Sequence, residues 1–153
     1  MRLWHYEILP YLPNSQLWLI SQWRELNSIF KNHPHHILIN YVYQYPSDNL
    51  WAYTLLVLKE MVNRGIKIRK TDNFMECYPQ YKENPDILAF HIKILEAFTK
   101  NQNPFPNHHT NRYLLQCYYN LQEKYDRGQK DFDEKRYERL EMFMQEQGVA
   151  TII

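Results

Sequence analysis

Only three glycines occur in the 153 residues, while eight prolines fall mostly between apolar, periodic stretches. An all-β fold needs many turns and more glycine than that, so the expected class is all-α. Charge of one sign is also missing. Eighteen Lys and Arg stand against seventeen Asp and Glu, a formal net charge of +1, whereas a protein gripping duplex DNA through many phosphates usually carries a larger basic excess. That balance weighs against tight non-specific DNA binding but leaves room for a local basic face. Arg64, Lys67, Arg69 and Lys70 fall within one short stretch, read either as such a face or as a solvated charge cluster.

Two cysteines, Cys77 and Cys117, are too few and too far apart for a disulfide framework or a C-x-x-C site, and are expected to be free thiols. No run approaches the ~18 apolar residues of a membrane span, and the start MRLWHYEILPYLP has no uninterrupted apolar core of a signal peptide. The expectation is a cytoplasmic protein with no membrane partner. No cofactor is expected. His33, His35 and His36 are interrupted by Pro34 and lack a completing Cys or carboxylate, so no metal site is expected either.

What is present is 44% hydrophobic content, with aromatic residues making up 16% of the chain, enough for one compact domain spanning 1–153. Residues 1–13 alternate apolar and polar groups around two prolines, predicting an ordered extended arm that lies in a groove. A helix is predicted from Asn14 or Ser15 to about Lys31, with Leu19, Trp23, Leu26 and Phe30 on its apolar stripe and Trp18, Ser21, Arg24, Glu25 and Ser28 opposite. Taken alone, Arg24 and Glu25 read as an ordinary solvated face.

After a tyrosine-rich stretch from Ile37 to Tyr45, Ser47 or Asp48 caps a helix over 49–63, with Leu50, Leu55, Leu58, Met61 and Val62 apolar and Gly65 beyond its end. Lys67 to Tyr81 reads as a connection. Asn84 and Pro85 open a helix bearing Ile87, Phe90, Ile94, Leu95 and Phe98 on one side, followed by a loop over 101–110. Two further helices are predicted over 111–126 and 132–147. The charged segment 131–147 carries Asp131, Asp133, Glu134, Glu138, Glu141 and Glu146, and is expected to face solvent or another protein.

Four pieces, MRLWH at the start, L-x-x-QWREL from Leu19 to Leu26, HILINYVY from His36 to Tyr43, and NLWAYTLLVLKEMVNRG from Asn49 to Gly65, together resemble the pyrimidine-dimer DNA glycosylase family over roughly residues 1–65. The resemblance implies an all-α fold whose N-terminal arm threads between helices and brings the α-amine to the active site. It also implies a glycosylase/AP lyase in which that amine forms an imine with the sugar C1′, and a carboxylate on the first helix, here Glu25, is essential. Damaged double-stranded DNA would be the partner.

An α-amine, with a reference pKa of about 7.7–8.0, is partly unprotonated near neutrality and serves as a nucleophile without special tuning. Arg2 is too bulky a second residue for ordinary methionine removal, so the nucleophile would be Met1 itself, with Arg2 in register with an arginine of the family. Arg2 and Arg24 would hold flanking phosphates. His5 would orient the arm or a phosphate, and His36 matches a family histidine, its plain alternative being a loop residue. His108 or His109 answers a further one. Trp4, Tyr6 and Trp18 either stack on bases or belong to the core.

Two departures keep an alternative open. An arginine that the family's phage member carries after its glutamate is replaced here by Asn27 and Ser28, and the chain ends in an acidic helix. The alternative is a non-catalytic relative, possible as a homo-oligomer, that binds and sequesters a small nucleotide or cyclic nucleotide signal. A third reading is a protein-interaction module using the charged helix.

Overall fold

No strand forms among the described residues, and the elements are α-helices joined by short 3-10 turns. The computed structural model describes residues 1–98 and 103–148. Ile94, Leu95 and Phe98, expected on one side of their helix, and residues 101 and 102 of the expected loop lie outside the described side chains. The elements are α1 (Leu17–Asn32), α2 (Ser47–Asn63), α3 (Asp72–Cys77), α4 (Gln80–Glu83), α5 (Asp86–Phe98), α6 (Asn111–Asp126) and α7 (Glu134–Glu146). The fold is all-α, as the scarcity of glycine implies.

Helix α1 begins where the Ser15 hydroxyl accepts the Leu17 N–H at 3.2 Å. It ends where His33 turns left-handed at φ 47° and its N–H reaches the Ile29 carbonyl, ahead of a proline that cannot continue the helix. Leu19, Trp23, Leu26 and Phe30 are all buried. They pack on α2 and α3, and the Trp23 indole N–H is tied to the Arg69 carbonyl at 2.6 Å. Helix α2 starts at Ser47, two residues before the predicted start, and stops at Gly65, whose φ of 70° is the left-handed conformation glycine adopts without penalty. Leu50, Leu55, Leu58 and Met61 are buried, but Val62 is half exposed.

Three further expectations are corrected. The connection over 67–81 contains the short helices α3 and α4; six and four residues are too few to show a 3.6-residue period. Over its first turns helix α5 packs half-buried Ile87 on the core, as predicted, but also turns Leu88 and Ile92 inward and leaves Phe90 59% exposed. Residues Tyr6–Tyr11 of the arm form a 3-10 helix with Pro10 inside it, so the arm is not extended throughout. The carbonyls at and around that proline are held by arginines. Arg64 donates to the carbonyls of Leu9, Pro10, Leu12 and Pro13, and Arg136 donates to those of Pro10 and Leu12.

The acidic helix α7 is capped by Asp133, whose carboxylate accepts the Arg136 N–H at 2.8 Å. Its Tyr137, Leu140, Phe143 and Met144 are buried, and Phe143 stacks on Tyr11 of the arm at 4.6 Å between centroids. One face of α7 therefore clamps the arm rather than facing solvent or a second protein. The arm lies between α2, α6 and α7, which is the threading expected of it. Among the described residues no helix is long and apolar enough to cross a membrane.

Candidate active site

An extended segment inside a helical protein has no neighbouring strand to satisfy its peptide groups, so side chains must do so. Arg2 N–H donates to Glu25 Oε2 at 3.2 Å, and the Arg2 carbonyl accepts from Gln22 Nε2 at 3.0 Å. Trp4 N–H donates to Gln22 Oε1 at 2.8 Å. The buried Gln22 amide thus grips the arm with both ends, and this pattern fixes which end is oxygen. Tyr113 donates to the Leu3 carbonyl. The Tyr53 hydroxyl lies 2.7 Å from the Trp4 carbonyl and 3.0 Å from Gln22 Oε1, its one proton shared between them.

Two histidines complete the clamp, and their tautomers follow from the partners. Backbone N–H groups can only donate, so His109 Nδ1, which takes Tyr6 N–H at 3.2 Å, and His5 Nδ1, which takes Glu7 N–H at 3.1 Å, carry no proton. Their protons sit on Nε2, where His5 donates to the His109 carbonyl at 3.0 Å and His109 donates to the Tyr41 hydroxyl at 2.8 Å. Burial works in the same direction, lowering His5 to about 4 and His109 to about 2. Both rings are neutral. His5 is 1% exposed and its two ring nitrogens are engaged within the chain, so it orients the arm and has no atom left for a phosphate.

Glu25 is half buried. Burial raises its carboxyl above the ordinary value, opposed in turn by the Arg2 N–H, the positive chain terminus at Met1, the Gln22 amide at 3.0 Å, and His36. It fronts a cleft of about 350 Å³ lined by Trp4, Trp18, Ser21, Gln22, Gln129 and Asp131. The rings of Trp4 and Trp18 lie 5.9 Å apart, and Trp18 is held by its indole N–H to Asp131 at 2.7 Å. Tyr6 stays outside this cleft, stacked on His5 at 4.9 Å.

The sequence-predicted residues therefore divide. Met1, Arg2, Glu25 and His36 come together. Met1 is 37% exposed, and exposed His36 uses Nδ1 to accept the Leu38 N–H at 3.2 Å, leaving Nε2 for another partner. The Arg2 side chain turns toward Tyr41, Tyr113 and Cys117, easing phenols and a thiol that burial pushes up. Arg24 points to the other side of α1, into a cleft shared with Lys31 and Lys70. Arg64 leaves the proposed basic face altogether, its guanidinium spent on Glu60 and arm carbonyls.

Gln22, Tyr53, His109 and Tyr113 carry no role legible from the sequence, beyond the choice between His108 and His109. Their signal is spatial. Gln22 sits three residues from Glu25 and so shares its face of α1, which is the one clue the sequence offers. Among the described residues no group of three or more His, Cys, Asp or Glu side chains is arranged to hold a metal ion.

Residues 1–74 match the model of the pyrimidine dimer DNA glycosylase family, extending to residue 74 the resemblance read from the sequence. That segment holds the arm, α1 with Glu25, α2 and the start of α3. No curated protein and no solved structure matches the chain.

Proposed function

We propose that the protein is a DNA repair glycosylase/AP lyase acting on pyrimidine dimers in double-stranded DNA, with the Met1 amine as nucleophile and Glu25 as the proton-transfer carboxylate. The observation that carries the reading is the hydrogen bond from Arg2 N–H to Glu25 Oε2. Met1 is the residue next to Arg2, at ~3.8 Å between Cα atoms, and Glu25 lines the aromatic cleft, which supports an amine within reach of the carboxylate.

The chemistry balances on these groups. The lone pair of the unprotonated Met1 amine forms a bond to sugar C1′, the C1′–base bond breaks, and its electron pair leaves with the base, which takes up a proton. Ring opening leaves an imine between Met1 and the sugar. Glu25 carboxylate then removes a C2′ proton, and the electrons expel the 3′ phosphate in β-elimination. Water finally hydrolyses the imine. A carboxyl raised by burial suits a group that must both accept and return a proton near neutrality. Reaching C1′ requires the damaged nucleotide to leave the stack, which costs least where pairing is already poor.

A cleft holding the Glu25 and Asp131 carboxylates, with no Lys or Arg in its lining, suits an uncharged base better than a polyanion. Sequestration of a small nucleotide, the alternative reading, draws correspondingly less support from this cleft. The test is borohydride trapping. Untagged protein is incubated with abasic-site duplex and borohydride, and a covalent adduct is expected that disappears on N-terminal acetylation, whereas Glu25→Gln, altered at a step after the imine, should keep the adduct and lose strand cleavage. No adduct from native protein, with stoichiometric binding of a nucleotide left unchanged, overturns the reading in favour of sequestration.

A further inference from the structure

On the side of α1 away from the Glu25 cleft, Gln16, Ile20, Arg24, Ser28 and Lys31 line up at helical spacing. Two adjoining clefts of about 250 and 280 Å³ open there and share Trp23, Arg24 and Lys70. The first also holds Lys31, with Asn27, Ser28 and Asn73; the second also holds Lys67 and Arg69. Five cations therefore line one surface and no acidic side chain does. Among the described residues none of the five takes part in a salt bridge, the bridging cations being Arg64, Lys82 and Arg127.

A second observation concerns the backbone. Lys70 has φ 58°, the left-handed region that costs a lysine roughly 1 kcal/mol or more and that glycine or asparagine would occupy more easily. Lys70 thus stands at the junction of the two clefts in a conformation that a smaller residue would adopt more easily.

We propose that this double cleft is a phosphate track for the DNA strand flanking the lesion, running from Arg24, next to Glu25 on α1, across Lys70 to Lys31 on one side and to Lys67 and Arg69 on the other. The inference rests on the DNA reading above and names the surface that grips the backbone. Arg24 and Lys31 are seven residues apart on α1, ~10 Å along the axis at 1.5 Å per residue, which spans about three base-pair rises of 3.4 Å. Neighbouring phosphates of one strand thus fall within reach of successive cations, and Asn27, Ser28 and Asn73 offer neutral hydrogen-bonding groups between them.

The test is the salt dependence of binding to an undamaged duplex, measured by fluorescence anisotropy, which needs no chemistry at Met1. Removing one cation that neutralises a phosphate lowers the slope of log K against log salt by ~0.9. The triple variant Lys67→Gln/Arg69→Gln/Lys70→Asn is therefore expected to lower it by about 2 to 3. A control with the same charge change on other exposed positions, Lys130→Gln/Lys135→Gln/Arg139→Gln, is expected to leave it unchanged. If the first triple fails to fold, Lys31→Gln alone should lower the slope by about 1.

Equal changes in track and control variants, no change in either, or absence of duplex binding by the wild type at low salt each overturn the track. Borohydride trapping is scored separately. An adduct with an unchanged slope leaves the glycosylase reading standing and removes the track, whereas a track-dependent slope without any adduct does the reverse.

Discussion

Acid should release the N-terminal arm well before it protonates ordinary surface carboxylates, because the two histidines that hold it must be neutral. His5 and His109 take backbone N–H groups at Nδ1, and a second proton there would face a donor with no acceptor. Their folded-state values, lowered from 6.5 to about 4 and about 2, mean that below pH 6.5 the unfolded chain binds protons that the folded chain refuses. Stability is thus fully present above 6.5 and falls as the pH drops, for His5 until about 4 and for His109 further still. At about 1.36 kcal/mol per pH unit, the gap between 6.5 and about 4 is worth about 3 kcal/mol for each ring. The pair together reaches about 6 kcal/mol at pH 4, of the order of a whole domain's stability of about 5–15 kcal/mol. Between pH 6 and 4.5 the slope should approach two protons, about 3 kcal/mol per pH unit.

Urea unfolding followed by tryptophan fluorescence at a series of pH values measures this slope directly. In His5→Asn the amide oxygen still accepts the Glu7 N–H, and the slope should fall to about one proton. Stability that stays level between pH 7 and 5, or a two-proton slope surviving in His5→Asn, refutes the assignment of neutral, arm-holding histidines.

Arg64→Met should lower unfolding free energy by about 2–4 kcal/mol, because four arm carbonyls and the Glu60 carboxylate lose a shared donor; Arg64→Lys should recover less than half, since an ammonium cannot reproduce the planar fork, and denaturation midpoints check both. Glu25→Gln should abolish strand cleavage while leaving the trapped adduct and changing stability by less than about 1 kcal/mol, since the amide oxygen still accepts the Arg2 N–H; unaltered strand cleavage by a folded variant refutes the catalytic role. The intact mass of native protein should include Met1, and a chain trimmed past it should give no adduct at Arg2.

The helices α1, α2, α6 and α7 are legible in the sequence because each buries a stripe long enough to show its period and ends in a readable signal, such as Gly65 after α2 or Pro34 after α1. Helices α3 and α4 are not, being shorter than the period needs. Arg64 misleads for a different reason. In sequence it sits with Lys67, Arg69 and Lys70, but as the residue that closes α2 it faces the arm, and only the path of the arm reveals four carbonyls needing a donor. The Glu25 site is legible as a resemblance and as the polar face of α1. Its supporting shell is not, since Gln22, Tyr53, His109 and Tyr113 meet the arm across separations of up to 110 residues.

The near-zero net charge, which on composition alone weakens any grip on DNA, loses that meaning once the charges are located. Glu134, Glu138, Glu141 and Glu146 belong to α7, which packs on the arm and α6 and does not pack on α1 among the described residues. Arg24, Lys31, Lys67, Arg69 and Lys70 line clefts built from α1 and the segment after α2. Exposed charges are screened beyond about 8 Å at physiological salt, so a strand lying in those clefts senses the five cations and little of the acidic helix. The acids are not idle, for α7 positions Phe143 and Arg136 against the arm. One helix thus orders the terminus that would do chemistry while keeping its negative face on a different element from the cations that would hold the substrate.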